Sequence, residues 1–140
     1  MTFEEVLPFI EANHRAVVVT FRNSGAAQAS IVTCGLVDGG VAFTTTQGRA
    51  KLTNLKRDPH CTILVSKPDW SAYAVIEGTA DIRWTDRTDP EELRLTLRQV
   101  YEAASGRPHP NWEEYDAAML EQGRAAIIVR PQNVYGARSG

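Results

Sequence analysis

The densest run of chemistry-bearing side chains is Thr44-Thr45-Thr46-Gln47-Gly48-Arg49-Ala50-Lys51-Leu52-Thr53-Asn54-Leu55-Lys56-Arg57-Asp58-Pro59. It reads as the end of a strand, a glycine break and a short helix. Pro59 closes that helix, because the residue before a proline is pushed out of the α region. Arg49, Lys51, Lys56 and Arg57 supply four cations before the first acid, Asp58, beside the free N–H groups of a helix start. Such an arrangement suits an anion, a phosphate being the usual one. The same pattern also describes a solvated basic helix face. No residues stand at catalytic spacing. His14, His60 and His109 are scattered without neighbouring ligands, so no metal is expected, and GxSxG, HExxH and P-loop motifs are absent. The remaining polar candidates are Gln28 and Ser30 on a strand. Trp70 and Tyr73 suit either a core or dimer interface or a cofactor face.

The chain has 140 residues, enough for one domain, expected over 1–140. With 43% hydrophobic and 23% charged residues, a packed core is expected rather than disorder. The formal net charge of −2 lacks the basic excess of a nucleic-acid binder, so the cations at 49–57 fit a small anionic ligand better than a polyanion. Cys34 and Cys61 lie in apolar strand-like runs without CxxC spacing, as small buried hydrophobes do. The N-terminus carries Glu4 and Glu5 and no signal-like apolar run, and no segment is long enough to span a membrane. A cytoplasmic location is the expectation.

The elements that position these residues follow in order. A helix over 2–13 is capped by Thr2 and buries Phe3, Val6, Leu7 and Ile10. Strands are expected over 15–22, 27–36 and 41–46, the last two joined at Asp38-Gly39-Gly40. After the basic helix come strands at 60–67 and 70–85, the second bulged or bent at Gly78. Asp89-Pro90 starts a helix with the stripe Leu93, Leu97, Val100 and Tyr101. Asn111 caps another, burying Trp112, Tyr115, Met119 and Leu120 and ending at Gly123. A final strand over 124–130 precedes a tail over 131–140. Six strands linked mostly by hairpin turns predict an antiparallel barrel with helices, mainly β within the α+β class. Without βαβ alternation or GxGxxG, a Rossmann fold is not expected.

Nearly the whole chain resembles the split β-barrel flavin and deazaflavin oxidoreductases that include pyridoxamine 5′-phosphate oxidase, and within them the branch of coenzyme F420-dependent enzymes. The run Arg49-Ala50-Lys51, Asn54-Leu55, Arg57-Asp58-Pro59 carries most of the likeness. Glu77-Gly78-Thr79-Ala80 is next, then Trp70-Ser71, Tyr73-Ala74-Val75, Trp112, Tyr115, Ala118-Met119 and Val134-Tyr135-Gly136. The resemblance implies an FMN-binding-like split barrel, homodimeric, with cofactor sites at the subunit interface. Arg49 and Lys51 would bind the cofactor phosphate, supported by Asn54 and by Thr44, Thr45 and Thr46. Gln28, Ser30 and Val32 would line the deazaflavin ring, and Trp70 and Tyr73 of the other subunit would close the pocket. The implied reaction is hydride transfer from reduced F420 to an unsaturated small molecule. No side chain is assigned as proton donor, since Tyr73, Thr45, Ser30 and solvent are all conceivable. Two readings stand beside it: FMN in place of F420, and a non-catalytic carrier of F420 or a tetrapyrrole. Pyridoxamine phosphate oxidation itself fits less well, because the chain is short and lacks a second basic set near its C-terminus. Ile31 departs from the pattern, standing where relatives can carry an amide facing the ring. The segment 33–40 is also shorter than theirs.

Overall fold

The structure, a computed structural model, describes residues 1–137. Its elements are α1 (Phe3–Ala12), β1 (Arg15–Phe21), β2 (Ala27–Thr33), β3 (Gly35–Val37), β4 (Gly40–Thr45), α2 (Ala50–Arg57), β5 (His60–Ser66), β6 (Tyr73–Arg83), α3 (Pro90–Ser105), α4 (Trp112–Glu121) and β7 (Ala125–Ala137). The strands form one seven-stranded sheet in the order β2-β1-β5-β6-β7-β4-β3, and every pairing is antiparallel. The sheet curls into an α+β half-barrel.

Side-chain alternation decides which residues face the core. Val18, Ile63, Ile76, Phe43, Ile127 and Val129 point inward and join one core, which α1 plugs with Val6 and Ile10. β4 and β7 are also buried on their outer face. There Ala42, Ala126 and Ile128 meet Leu93, Leu97, Val100 and Tyr115 of α3 and α4 in a second core. The caps are as expected: Thr2 Oγ1 accepts from Glu5 N, Asp89 from Glu91 N and Glu92 N, and Asn111 from Glu114 N.

Four expectations are corrected. The strand over 27–36 is two strands, making seven rather than six. The chain breaks at Cys34, whose N–H donates to His14 O while its carbonyl bonds the His14 ring, so tertiary contacts replace the ladder. The strand over 70–85 begins at Tyr73, because Trp70 sits in a turn with φ 64°. The tail is strand as far as Ala137, and its last three residues lie outside the described ones. Pro131 does not end β7, because it stands opposite Gly78 at a register shift between Glu77 and Gly78 where no ladder N–H is needed. Finally, Leu120 is 77% exposed. Only one side of α4 packs on α3, and Trp112, Tyr115 and Met119 occupy that side, about 100° round the helix from Leu120.

Candidate functional site

The edge strand β2 and the end of β4 face each other across the mouth of the half-barrel, and α2 starts between them. Ser30 and Val32 share the inward side of β2, since they pair with Val18 and Ala16. Gly48, with φ 81°, turns the chain after β4, and Arg49 caps α2 without a side-chain bond to its first-turn N–H groups. A pocket of about 470 Å³ results, lined by Ser30 to Thr33, Thr44 to Thr46, Arg49, Lys51 and Arg124.

Arg124 is the site residue that reading the sequence missed. It stands at the start of β7, and a backbone pin fixes its place. Gln47 N and Trp84 Nε1 both donate to Gly123 O, at 3.1 and 2.9 Å. Gly123 itself has φ 62° and packs on Gln47 so closely that a Cβ would sit 2.5 Å from its side chain. The turn after α4 is thereby tied to the β4–α2 loop. Arg124 Nη1 then donates to Thr44 Oγ1 at 3.1 Å, and Arg49 Nε to Thr46 Oγ1 at 3.3 Å. No local signal marks it in the sequence, where Arg124 is only the first residue of an expected strand; the pairing of Ala125 with Thr45 that brings it here joins distant strands.

The electrostatics of this pocket are one-sided. Three cations line it with no carboxylate. Among the described ion pairs none engages Arg49, Lys51 or Arg124, whereas Lys56 is paired with Asp86 at 2.9 Å. Burial, then the charges of Arg49 and Arg124, hold the Lys51 ammonium below the ordinary lysine range. Thr45 Oγ1 is buried and has no hydrogen-bond partner among the described residues. A buried hydroxyl without a partner costs about 1–3 kcal/mol, which a ligand oxygen would recover.

Other site candidates lie elsewhere. Asn54 is buried beneath α2, where Nδ2 donates to Thr20 Oγ1 and Gln28 Oε1 at 3.1 and 3.2 Å and Oδ1 accepts from Arg57 Nη2. Asn54 and Gln28 therefore clamp α2 to β1 and β2 and do not line the pocket. Lys56 packs over the Trp84 ring, and Arg57 also bonds Phe21 O, so two of the four helix cations are spent on structure. Trp70 and Tyr73 do not meet the cations within one chain. They line a shallow cleft on the outer sheet face with Leu64, Val75 and Tyr135. Both cysteines are buried, which pushes each thiol up to about 12 and leaves it inert. No three His, Cys, Asp or Glu side chains converge among the described residues. No helix among them is long and apolar enough to cross a membrane.

A family profile described as pyridoxamine 5′-phosphate oxidase matches residues 2–137. The chain belongs to that family. Solved structures with this fold include conserved hypothetical protein Rv2991 from Mycobacterium tuberculosis, at 20% identity and TM-score 0.78, over 97% of this chain and 84% of that one. An F420 reductase is 24% identical with TM-score 0.62, over 96% and 97% of the two chains. A heme binding protein from Mycobacterium smegmatis is 22% identical with TM-score 0.65, over 98% of this chain and 54% of its own. At these identities the likeness is one of fold, and the proteins that share it include a reductase and a heme binding protein.

Proposed function

We propose that this family member is an oxidoreductase that binds coenzyme F420 and passes a hydride to an unsaturated small molecule. The observation that carries the reading is a carboxylate-free pocket lined by Arg49, Lys51 and Arg124 together with Thr45, whose buried hydroxyl has no partner among the described residues. These groups fit a phosphate diester. Two guanidinium groups and an ammonium give charge-assisted hydrogen bonds, and the uncapped start of α2 adds backbone N–H groups. Ser30 and Val32 adjoin that end and offer a strand surface for a flat ring. The reduced deazaflavin, when bound, supplies the hydride from its C5, and this chain contributes binding, orientation and exclusion of water. Trp70 and Tyr73 of a second copy would close the pocket in a homodimer. The F420 reductase with the same fold supports the cofactor choice over FMN, whose phosphate the same cations would hold.

The test is a fluorescence titration with oxidised F420 and, separately, FMN, for the wild type, Lys51→Ala and Thr45→Val. Tight F420 binding, weaker FMN binding and a loss of about 10–100-fold in Lys51→Ala are expected, the worth of one charge-assisted hydrogen bond. Preference for FMN would move the protein to the flavin side of its family, and binding of neither would sink the reading. Reduced F420 with an artificial acceptor then separates an enzyme from a carrier by turnover.

A further inference from the structure

A second cavity, of about 480 Å³, opens beside the anion pocket and shares Thr33, Thr44 and Arg124 with it. Its far wall belongs to α3, α4 and the loop between them, and its chemistry is different. Arg124 is its one cation and Glu114 its one carboxylate, set among Val100, Ala104, Ala118 and Met119. A second phosphate would meet a single shared guanidinium and a repelling carboxylate there.

Aromatic rings give this cleft its shape. The His109 ring lies 5.1 Å from Tyr101 and 5.3 Å from Tyr115, with Trp112 behind at 5.9 Å. Asn111 N donates to His109 Nδ1 at 3.0 Å, which leaves Nε2 to carry the proton of the neutral imidazole as a donor. The Tyr115 hydroxyl is spent on Leu97 O at 2.8 Å. The Tyr101 hydroxyl has no hydrogen-bond partner among the described residues, nor does Thr33 Oγ1. The cleft therefore offers flat apolar walls and several donors, with Glu114 as an acceptor on the solvent side.

We propose that this cleft is a second ligand subsite, which takes a flat, uncharged, conjugated ring carrying an acceptor oxygen. Naming that ligand as the molecule reduced rests on the oxidoreductase reading, while the subsite stands on its own walls. The donors match a carbonyl oxygen, the aromatic edges match a ring, and the shared Arg124 places the ring beside whatever anion the first pocket holds.

The chain holds two methionines, Met1 and Met119, so methyl-13C-methionine labelling gives two NMR signals, one of them from this cleft. Coumarin, a neutral conjugated lactone, is the probe, and inorganic phosphate followed by calorimetry reports the anion pocket. Coumarin should shift the Met119 methyl saturably and leave Met1 in place. Ala104→Phe, which fills the cleft from α3, should abolish that shift and leave phosphate binding intact. Tyr101→Phe, which removes only a hydroxyl, should weaken coumarin about three- to tenfold. Lys51→Ala should do the converse, losing phosphate and keeping the Met119 response. A Met119 signal that never moves, or equal shifts of both methyls, overturns the subsite. Undiminished binding in Tyr101→Phe together with Ala104→Phe does so too. A wild type that fails to bind phosphate would overturn only the anion reading.

Discussion

A lysine ammonium partly withdrawn from water and flanked by Arg49 and Arg124 is held below its ordinary value, by burial first and by the two charges after it. The sign of the consequence follows from proton counting. Between the depressed folded value and the unfolded value of about 10.4, the unfolded chain binds more protons than the folded one, so stability rises with pH across that window. Below it, at neutral pH, the full penalty of keeping Lys51 charged is present. An anion in the pocket reverses the preference, because it favours the charged lysine. Phosphate should therefore raise the melting temperature of the wild type most at neutral pH, and the effect should fade as pH climbs into the window below about 10.4. Lys51→Gln should melt higher than the wild type in phosphate-free buffer, lose most of the phosphate response, and show a flatter stability profile at alkaline pH. Subtracting the two melting curves removes the contribution of Tyr115, whose phenol burial pushes up to about 12 in both proteins. A phosphate response in Lys51→Gln equal to the wild type's would show that the anion sits elsewhere. Lys51 and Arg49 were legible in the sequence because they share one short helix after a glycine. Arg124 was not, because only the pinned Gly123 turn brings it to them.

At the scale of elements, β6 and β7 form the longest ladder of the sheet, and it is irregular. Its register shifts between Glu77 and Gly78, where Gln132 of β7 is left without a ladder partner and Pro131 stands opposite Gly78. A Cβ on Gly78 would stand 1.9 Å from Arg130 O, and a backbone oxygen in a ladder cannot move aside cheaply. Gly78→Ala is thus expected to destabilise the protein by about 3 kcal/mol, the upper part of the range for overpacked cores. A urea titration measures this, and a loss under about 1 kcal/mol would mean the two strands can separate without cost to their neighbours. The glycine was readable in the sequence as a mid-strand anomaly, and so were the caps at Thr2, Asp89 and Asn111, because each depends on residues only two or three apart. The continuation of β7 past Pro131 was not readable. A proline normally leaves a central strand, and only the register shift beside it, with Gln132 as the extra residue of β7, makes room for this one. The split between β2 and β3 was hidden for a similar reason: His14, distant in the chain, takes both backbone groups of Cys34. Local rules located the elements, and pairing between distant strands decided where they stop.

For the molecule as a whole, the outer sheet face divides in two. The half over β3, β4 and β7 is covered by α3 and α4. The other half carries an apolar row that crosses five strands in register: Ile31 beside Val17, then Leu64, Val75 and Tyr135. Ile31, Tyr135 and the neighbouring Trp70 are 78%, 48% and 62% exposed, an unusual concentration of large apolar side chains on one surface. Ile31 also lines the anion pocket, so the row and the pocket meet along the edge strand β2. A second copy laid on this row would bring its Trp70 and Tyr73 toward the rim that Ile31 forms, completing a wall that one chain lacks. On that arrangement, association and cofactor binding are linked, and a charge in the row should damage both. Tyr135→Asp is expected to raise the dimer dissociation constant at least tenfold, since a carboxylate buried without a partner opposes association by more than ~1.4 kcal/mol. Sedimentation velocity at micromolar protein should show a dimer for the wild type and a monomer for the variant. F420 affinity should fall in the same variant although no pocket residue has changed, and it should recover partly as protein concentration is raised. A wild-type monomer, or a Tyr135→Asp monomer with full cofactor affinity, would uncouple the apolar row from the site and leave Trp70 and Tyr73 without a role in it.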